Sequence, residues 1–512
     1  MFRSLFTVAG LTLLSRILGF IRDGMVLHFL GAGAAADAWV AAFRFPNLFR
    51  RVFGEGAFNA AFVPMYSRRL EESGEQAADE FGSRTLSLMF VILSVGFAIS
   101  FIFMEPITRV VANGYTGERF DLAVKLSRIT AIYMVFVCLM AAFSGILNSR
   151  RSFAPPAFAY VMLNVVFIAG LLFVTPRTGM PEYVLARCVV AAGVIQLGIV
   201  MHATRKRGAH LRLVRPHFDA DMKRLGLLMV PGLISAGVQQ LNLIVGQSVA
   251  SYQEGANVYI YTADRINQLP LGIIGIAFGV VLLPEISRHL RGGREDVAVS
   301  SLMRGVEFSL LISFPAMVAM MAIPDAMIYA LFKSGKFLAA DASETGKALF
   351  AFAIGAPAYI LLRVLQPGYF AREDTKTPMR FTIVSAVVNM VLCIALFSVM
   401  KHVGCALATS LAGWLNVVLI SVGLHRLGLF RPDSAFYSRV FRMVLCSLLM
   451  GAAVWGLAKG VQHWLYADAR LIRLATMGGV VAVGLLVYFS LIFAFRVTTV
   501  AELKSKFRRQ RK

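Results

Sequence analysis

The first two apolar segments of the sequence carry arginines at depths where a membrane helix usually carries none. An arginine at the centre of a membrane helix costs on the order of 3 kcal/mol, so such side chains face a cavity or a partner. Five arginines oppose three acids here: Arg16, Arg22, Arg44, Arg50 and Arg51 against Asp23, Asp37 and Glu55. A bound anion would neutralise the excess charge. Because a guanidinium grips phosphate or carboxylate as a fork, the residues predict a pocket for an anion.

The spacing of these residues predicts which of them share a helix face. Asp37, Arg44 and Arg51 are seven residues apart and fall on one face of a helix. Arg16 and Asp23 have the same spacing on the preceding helix. Arg50 would point away from that face unless Pro46 kinks the segment. In the second half of the chain, Asp264 and Arg265 lie at the start of an apolar segment.

A structural alternative is that these charges only pair with one another and reach toward the membrane interface. The expected pairs are Arg22 with Asp23, Arg265 with Asp264, and Glu307 with Arg363. The excess of arginine over acid in the first two segments favours a functional role instead.

The elements that must hold these residues are membrane helices. Hydrophobic residues make up 58% of the 512 positions and charged residues 15%, far from the composition of a soluble domain. The apolar residues come in blocks of about 20, which is the length of a membrane-spanning helix. We predict an all-α polytopic membrane protein with about 14 spans. They cover residues 5–30, 36–64, 85–104, 129–148, 157–175, 183–203, 225–250, 268–287, 306–331, 347–370, 380–400, 403–424, 440–458 and 472–495.

The charges of the loops predict the orientation of the chain. Lysines and arginines concentrate in alternate loops and in the C-terminal tail. Membrane proteins keep such residues in the cytoplasm, which explains the net charge of +23 without nucleic acid as a partner. Both termini are therefore expected in the cytoplasm, which requires an even number of spans.

Two stretches of the chain resemble each other. Residues 57–70 (AFNAAFVPMYSRRL) and residues 277–290 (AFGVVLLPEISRHL) both end an apolar span and enter a basic loop. They lie in the second and eighth spans, so we predict two parallel six-helix repeats around a central cavity, with two extra C-terminal helices. The expected domains are an N-terminal lobe (1–215), a C-terminal lobe (216–430), the extra helices (431–498) and a basic cytoplasmic tail (499–512).

The sequence contains no recognisable motif for catalysis, cofactor binding or metal binding. We find no phosphate-binding loop, no HExxH and no convincing nucleophile triad. The five cysteines lie in or beside apolar blocks without CxxC spacing, so we expect small apolar fillers and no disulfide framework. A transporter driven by gradients or potential is expected, rather than an enzyme.

Several stretches resemble the MurJ (MviN) family of lipid II flippases, within the superfamily that includes multidrug and polysaccharide exporters. These are SRILGFIRD at 15–23, GAGAAADAWVAAFRFPNLFRRVFGEGAFNAAFVP at 31–64, YTADRINQLPLGIIGIAFGVVLLPEISR at 261–288 and PGYFAREDTKTP at 367–378. The similarity extends over nearly the whole chain, including the arrangement of six, six and two spans.

The resemblance implies that the chain carries the lipid-linked peptidoglycan precursor, lipid II, from the cytoplasmic to the periplasmic leaflet by alternating access. It implies a bacterial inner-membrane location, surrounding membrane lipids, and the cell-wall synthesis machinery as a further partner. The extra two helices would hold the polyprenyl tail. The family's cavity residues correspond to Arg16, Arg22, Arg50, Arg265 and Asp37. Gating or structural candidates are Asp23, Arg44, Arg51, Glu55, Asp264 and Gln268.

The chain also departs from the family pattern. Relatives often have a glutamate where this chain has Gln268, so an acid role is not expected there. The acids of a sodium site are missing from the seventh and eleventh spans, so we predict no metal site.

Other functions remain open from the residues alone. A multidrug-type exporter of soluble compounds would favour acids in the pocket and leaves the last two spans unexplained. A flippase for another polyprenyl-diphosphate glycan differs only by family resemblance. A membrane glycosyltransferase would need a carboxylate at the outer face of a cavity, and a scaffold would tolerate the loss of Arg16 or Arg265.

Overall fold

Helices form nearly all of the protein in the computed structural model. It describes the backbone of residues 2–51 and 57–497, and the side chains in these ranges except at 2–6, 57, 234–235 and 273–281. Within these residues no strand occurs, and one isolated bridge joins Ser334 to Phe337. The predicted all-α fold is confirmed. Glu55 lies outside the described residues.

The chain divides into two units by its internal contacts. Unit 1 comprises Met1–Val258 and Ser334–Phe337, and unit 2 comprises Tyr259–Lys333 and Leu338–Lys512. Helix α12 (Ala256–Arg291) therefore begins in unit 1 and continues into unit 2. The predicted lobes, with their boundary at 215/216, stay a prediction.

Unit 1 contains eleven helices before α12, and a π-helical turn (Gly170–Val174) separates α8 from α9. The helices are α1 Phe2–Leu30, α2 Ala34–Phe49, α3 Ala57–Glu72, α4 Gly74–Ile102, α5 Met104–Val111, α6 Gly117–Ala131, α7 Tyr133–Ser149, α8 Ala154–Ala169, α9 Thr175–Thr178, α10 Pro181–Lys206 and α11 Ala220–Ala250.

Unit 2 contains the rest of α12 and seven further helices. They are α13 Glu295–Ala322, α14 Pro324–Phe332, α15 Ala339–Phe370, α16 Lys376–Arg426, α17 Ser434–Gly460, α18 Gln462–Leu465 and α19 Arg470–Ala494. Its core is a continuous apolar cluster contributed by α12, α13, α14, α15, α16, α17 and α19.

Nine helical segments in the described part of the chain are long and apolar enough to cross a membrane. A tenth is the bent pair Ala220–Leu233 and Ala236–Ala250 within α11. The helices that carry the candidate arginines, α1, α2 and α12, are not among these segments. The chain is thus a multi-pass membrane protein, and the number of about 14 spans stays a prediction.

The longest helix, α16, consists of two arms. Lys401 has φ 53° and ψ −137°, which is not helical. A Cβ on Gly404 would lie 2.5 Å from the carbonyl oxygen of Leu396, whereas eight residues of straight helix separate two atoms by about 12 Å. The chain therefore folds back at Lys401. The break falls between the predicted spans 380–400 and 403–424.

The last two long helices pack onto the C-terminal half. Helix α17 packs against α13 and α19, and α19 also contacts α14. Arg439 of α17 donates two hydrogen bonds to Glu307 of α13, at 2.7 and 3.0 Å. The expected pair of Glu307 with Arg363 is therefore wrong, since Glu307 pairs with an arginine of the extra helices and Arg363 is exposed. A charged residue within a helix bundle pairs with the oppositely charged residue that is nearest in space. The sequence alone does not show which residue that is.

Candidate functional site

Arg22 is built into the packing of α1 against α8. Its Nε and Nη2 donate to Asp23 Oδ1 at 3.0 and 2.6 Å, and its Nη1 donates to Asn164 Oδ1 at 2.9 Å. The guanidinium also lies 5.6 Å from the ring centroid of Phe167. Only 6% of Arg22 is exposed. The Arg22 guanidinium therefore already donates hydrogen bonds to protein groups. This agrees with the structural alternative, in which Arg22 pairs with Asp23.

Arg16, two turns before Asp23 on α1, has a different environment. Its side chain is exposed, and no partner is found for it among the described residues. Since its charge is not neutralised by a neighbouring acid, Arg16 is open to an anion from outside the protein.

The residues of the predicted α2 face become more exposed from Asp37 to Arg51. Asp37 is fully buried, Arg44 is half-buried and donates to Gln247 Oε1 of α11 at 3.1 Å, and Arg51 is exposed. Arg50 is half-buried and its Nε donates to Asn47 Oδ1 at 3.0 Å, one turn earlier. Arg44 on α2, and Arg50 and Arg51 directly after it, therefore differ in exposure and in hydrogen-bond partner.

Asp37 is the centre of a polar cluster that we call the Asp37 latch: Asp37, Tyr115, Arg119, Ser251 and Gly255. The Asp37 carboxylate accepts from the guanidinium of Arg119 and, at 2.7 Å, from the backbone N–H of Gly255. Arg119 also donates to the Ser251 carbonyl at 3.2 Å, and Tyr115 donates to the Asp37 carbonyl at 3.1 Å. One carboxylate therefore links α2 and α6 to the segment between α11 and α12.

Small residues allow the Asp37 latch to close. Gly114 donates its N–H to Ser251 Oγ at 2.7 Å, and a Cβ on Gly114 would lie 2.4 Å from the Tyr252 nitrogen. The Arg119 guanidinium stacks 3.8 Å from the ring centroid of Tyr115, which adds a cation–π contact. Because α12 begins at Ala256, directly after the latch, the latch fixes the start of the helix that carries Asp264 and Arg265.

In unit 2 the candidates on α12 form their own small group. Gln268 donates to the carboxylate of Asp264 one turn earlier, and the Arg265 guanidinium lies 5.5 Å from the ring centroid of Tyr261. A glutamate at position 268 would instead place a second negative charge beside Asp264. Gln268 therefore acts here as a hydrogen-bond partner of an acid.

The structure brings the candidates into separate groups. Arg22 is paired with Asp23, and Arg44 is hydrogen-bonded to Gln247 of α11. Asp37 belongs to the latch, and Arg265 neighbours the hydrogen-bonded pair of Asp264 and Gln268 on α12. Sequence reasoning missed Arg119, the ion-pair partner of Asp37. The predicted topology offered a signal for this pair. Asp37 lies at the start of the second predicted span and Arg119 in the loop before the fourth, and both positions fall on the same face of the membrane. Asn164 and Gln247, the amide partners of Arg22 and Arg44, carried no comparable signal.

Groups that could hold a metal ion are not found in the described part of the chain. Arginine side chains dominate the candidate residues, and a cationic guanidinium is not a metal ligand. Guanidinium groups can instead bind anions such as phosphate and carboxylate.

Comparison with known proteins gives a consistent family assignment. A family model described as lipid II flippase MurJ matches residues 26–474. The chain is 38% identical to a protein of Rhizobium tropici named "Probable lipid II flippase MurJ", over 99% of this chain and 96% of that protein. It is 32% identical to the "Lipid II flippase MurJ" of Burkholderia cenocepacia, covering 91% of this chain and 90% of that protein.

Solved structures show the same fold. A lipid II flippase MurJ in an inward closed conformation matches with a TM-score of 0.80 and 26% identity, covering 96% of this chain and 98% of that chain. An inward-facing multidrug (MATE) transporter matches with a TM-score of 0.70 at 14% identity, covering 85% of this chain and 99% of that chain. The second likeness concerns the fold alone.

Proposed function

This chain belongs to the lipid II flippase MurJ family, and we propose that it moves lipid II from the cytoplasmic to the periplasmic leaflet of the bacterial inner membrane. The proposal makes the chain a transporter for cell-wall synthesis rather than an enzyme. The observation that carries the proposal is the match to the family along residues 26–474, which includes α2 and α12 and begins after Arg16 and Arg22 of α1.

The chemistry of the arginines supports this substrate. Lipid II carries a diphosphate and peptide carboxylates, and guanidinium groups bind both as bidentate partners. Exposed Arg16 is our first candidate for the diphosphate, together with Arg50 at the C-terminal end of α2 and Arg265 on α12. Arg22 would join them only after exchanging its contacts with Asp23 and Asn164.

The remaining candidates would control the conformational cycle. We assign Asp37 to the closed state of the latch, because its carboxylate is fully buried there and not open to a substrate. Asp264 and Gln268 would orient the neighbouring Arg265, and Arg44 would tie α2 to α11 through Gln247. Asp23, Arg51 and Glu55 complete the set of gating or structural residues.

Alternating access gives the proposed mechanism. The cavity opens first to the cytoplasm and admits the headgroup, while the polyprenyl tail stays in lipid along α17 and α19. Binding of the diphosphate closes the cytoplasmic side. The Asp37 latch then opens, which frees the start of α12 and exposes the cavity to the periplasm.

The proposed orientation places both termini in the cytoplasm, as the distribution of lysine and arginine predicts. A negative cell interior then favours outward movement of the anionic headgroup. The gain is about 2.3 kcal/mol per charge at 100 mV, or roughly 5 kcal/mol for two net charges. The membrane potential is therefore sufficient to bias the cycle without an ATPase domain.

The proposal can be tested by native mass spectrometry of the gently purified protein. We would compare the wild type with Arg50→Ala and Arg265→Ala, and use Arg426→Ala as a matched control because Arg426 is an exposed arginine at the end of α16. We expect a bound lipid with the mass of lipid II in the wild type and the control, and its loss in the two other variants.

The opposite results would be equally informative. A bound lipid that is indifferent to Arg50 and Arg265 would reduce these arginines to structural residues. No bound anionic lipid in any variant would favour an exporter of soluble compounds, which shares the fold.

A further inference from the structure

Two of the five cysteines contact each other inside unit 2. The Sγ atoms of Cys393 and Cys405 are 2.7 Å apart, closer than two sulfur atoms that merely pack together. Both side chains are buried, with 4% and 6% exposed. They belong to the two arms of α16, on either side of the break at Lys401. In this structure both are free, buried cysteines, as expected for small apolar fillers, and their close approach is the additional observation.

The backbone of α16 brings the two thiols together. The chain reverses at Lys401, and the absence of a side chain at Gly404 lets the second arm approach the Leu396 carbonyl. His402 lies within 2.9 Å of the Glu344 carbonyl of α15, which holds the turn in place. A disulfide requires the two sulfur atoms to lie close together, and this hairpin brings the Sγ atoms to 2.7 Å.

We propose that Cys393 and Cys405 form an intramolecular disulfide in the protein as it occurs in the cell envelope. The oxidant is a disulfide of a protein or of a small thiol. One thiolate attacks the oxidant and forms a mixed disulfide, and the second thiol displaces the leaving thiolate. The two cysteines lose two electrons and two protons, and the oxidant is reduced to two thiols.

The location of the hairpin supports oxidation. In the proposed orientation, the turn at Lys401 lies on the periplasmic side, where disulfides form and persist. Because both thiols are buried in the folded chain, the exchange takes place as the hairpin leaves the translocation machinery and before α15 packs over it. The bond would staple two membrane helices, so that they move as one body during transport.

The other cysteines provide internal controls. Cys138, Cys188 and Cys446 lie on α7, α10 and α17, and no described contact joins one of them to another cysteine. Their thiols should stay free under every condition in which the proposed disulfide forms.

The test is to trap thiols in whole cells that express the full chain. Cells are denatured directly in acid, alkylated without reduction, and digested for peptide mass spectrometry. We expect a cross-linked peptide pair that contains Cys393 and Cys405 and is lost on reduction, and alkylated Cys138, Cys188 and Cys446. A Cys393→Ser variant should leave Cys405 alkylated, which excludes a bond to another protein.

A second measurement reads the effect of the bond on the stability of the wild type. Reductant should lower the melting temperature of the purified wild type and leave that of Cys393→Ser/Cys405→Ser unchanged. Alkylation of both Cys393 and Cys405 in the wild type from cells would overturn the proposal. That result would leave the proposed lipid II transport untouched, because transport is measured separately.

Discussion

Arg16 and Arg22 lie six residues apart on α1, yet the structure gives them opposite surroundings. Arg22 is enclosed by Asp23, Asn164 and Phe167, whereas Arg16 is exposed without a described partner. A buried ion pair that loses one partner leaves an uncompensated charge, which costs far more than the loss of an exposed charge. The two arginines should therefore respond differently to substitution.

We predict that Arg22→Ala lowers the free energy of unfolding by about 3 kcal/mol, because the half-buried Asp23 loses its ion-pair partner. Arg16→Ala should change it by less than about 0.5 kcal/mol and should weaken lipid II binding. Thermal unfolding in detergent and native mass spectrometry measure the two effects. Equal stability of both variants would show that the contacts of Arg22 carry no folding energy.

The Asp37 latch makes a prediction about access from the periplasm. Ser251→Cys places a nearly isosteric thiol at a fully buried position within the latch. In an Asp37→Ala background, a membrane-impermeant maleimide should label this thiol at least about tenfold faster, which corresponds to about 1.4 kcal/mol of lost latch stability.

A cysteine at Tyr252 is the matched control for this experiment, because Tyr252 is 62% exposed beside the latch. Its labelling should be fast and independent of position 37. Slow labelling of Ser251→Cys in both backgrounds would mean that the latch does not keep this region closed.

At the scale of elements, the break in α16 stores backbone strain. A side chain at φ 53° and ψ −137° costs about 1–3 kcal/mol, because only glycine adopts this region freely. We predict that Lys401→Gly raises the free energy of unfolding by about 1 kcal/mol, after the entropy of the unfolded glycine is counted.

Lys125→Gly is the control, because Lys125 is an exposed lysine in the interior of α6. This substitution should cost about 1 kcal/mol, the usual penalty for glycine in a helix. Thermal unfolding of both variants gives the comparison. A loss of stability in Lys401→Gly similar to that in Lys125→Gly would contradict strain at the turn.

The elements also show what the sequence can predict. Hydropathy predicted helical spans, and nine helical segments of the described residues are long and apolar enough to cross a membrane. The polar residues at 401–402 predicted a boundary between two spans, and α16 breaks there at Lys401. The predicted span began at residue 85, whereas α4 begins at Gly74, because its first three turns carry polar residues that a search for apolar blocks leaves out. Asp79 in that stretch is buried and accepts from Arg150 at 2.9 Å and from the His210 N–H at 2.7 Å, so it belongs to the packed protein.

The sequence indicated the charged residue types of the candidate site and the Arg22–Asp23 pair, but not the other partners of these residues. The positions of Arg16, Arg22 and Asp37 followed from charge inside apolar segments. Asn164 lies 142 residues from its partner Arg22, and Arg119 lies 82 residues from its partner Asp37. Only the fold brings each pair together. Tertiary packing determines that Arg22 is hydrogen-bonded to protein groups and that Arg16 is exposed.

At the scale of the whole molecule, the account predicts an electrical bias. Two net negative charges that leave a cell interior at −100 mV gain roughly 5 kcal/mol. Lipid II transport in vesicles should accelerate when a potassium diffusion potential makes the compartment of origin negative. The same vesicles without a gradient are the control, and equal rates in both would exclude the membrane potential as the driving force.

The most direct test of the central claim is a translocation assay with lipid II in vesicles that contain the purified chain. Labelled lipid II is placed in one leaflet, and its arrival in the other is followed for the wild type, Arg16→Ala, Arg265→Ala and the control Arg426→Ala. The account predicts transport by the wild type and the control, and a loss of transport in the other two variants. Transport by all four proteins at one rate would contradict arginine-mediated recognition, and no transport by the wild type would contradict the proposed function.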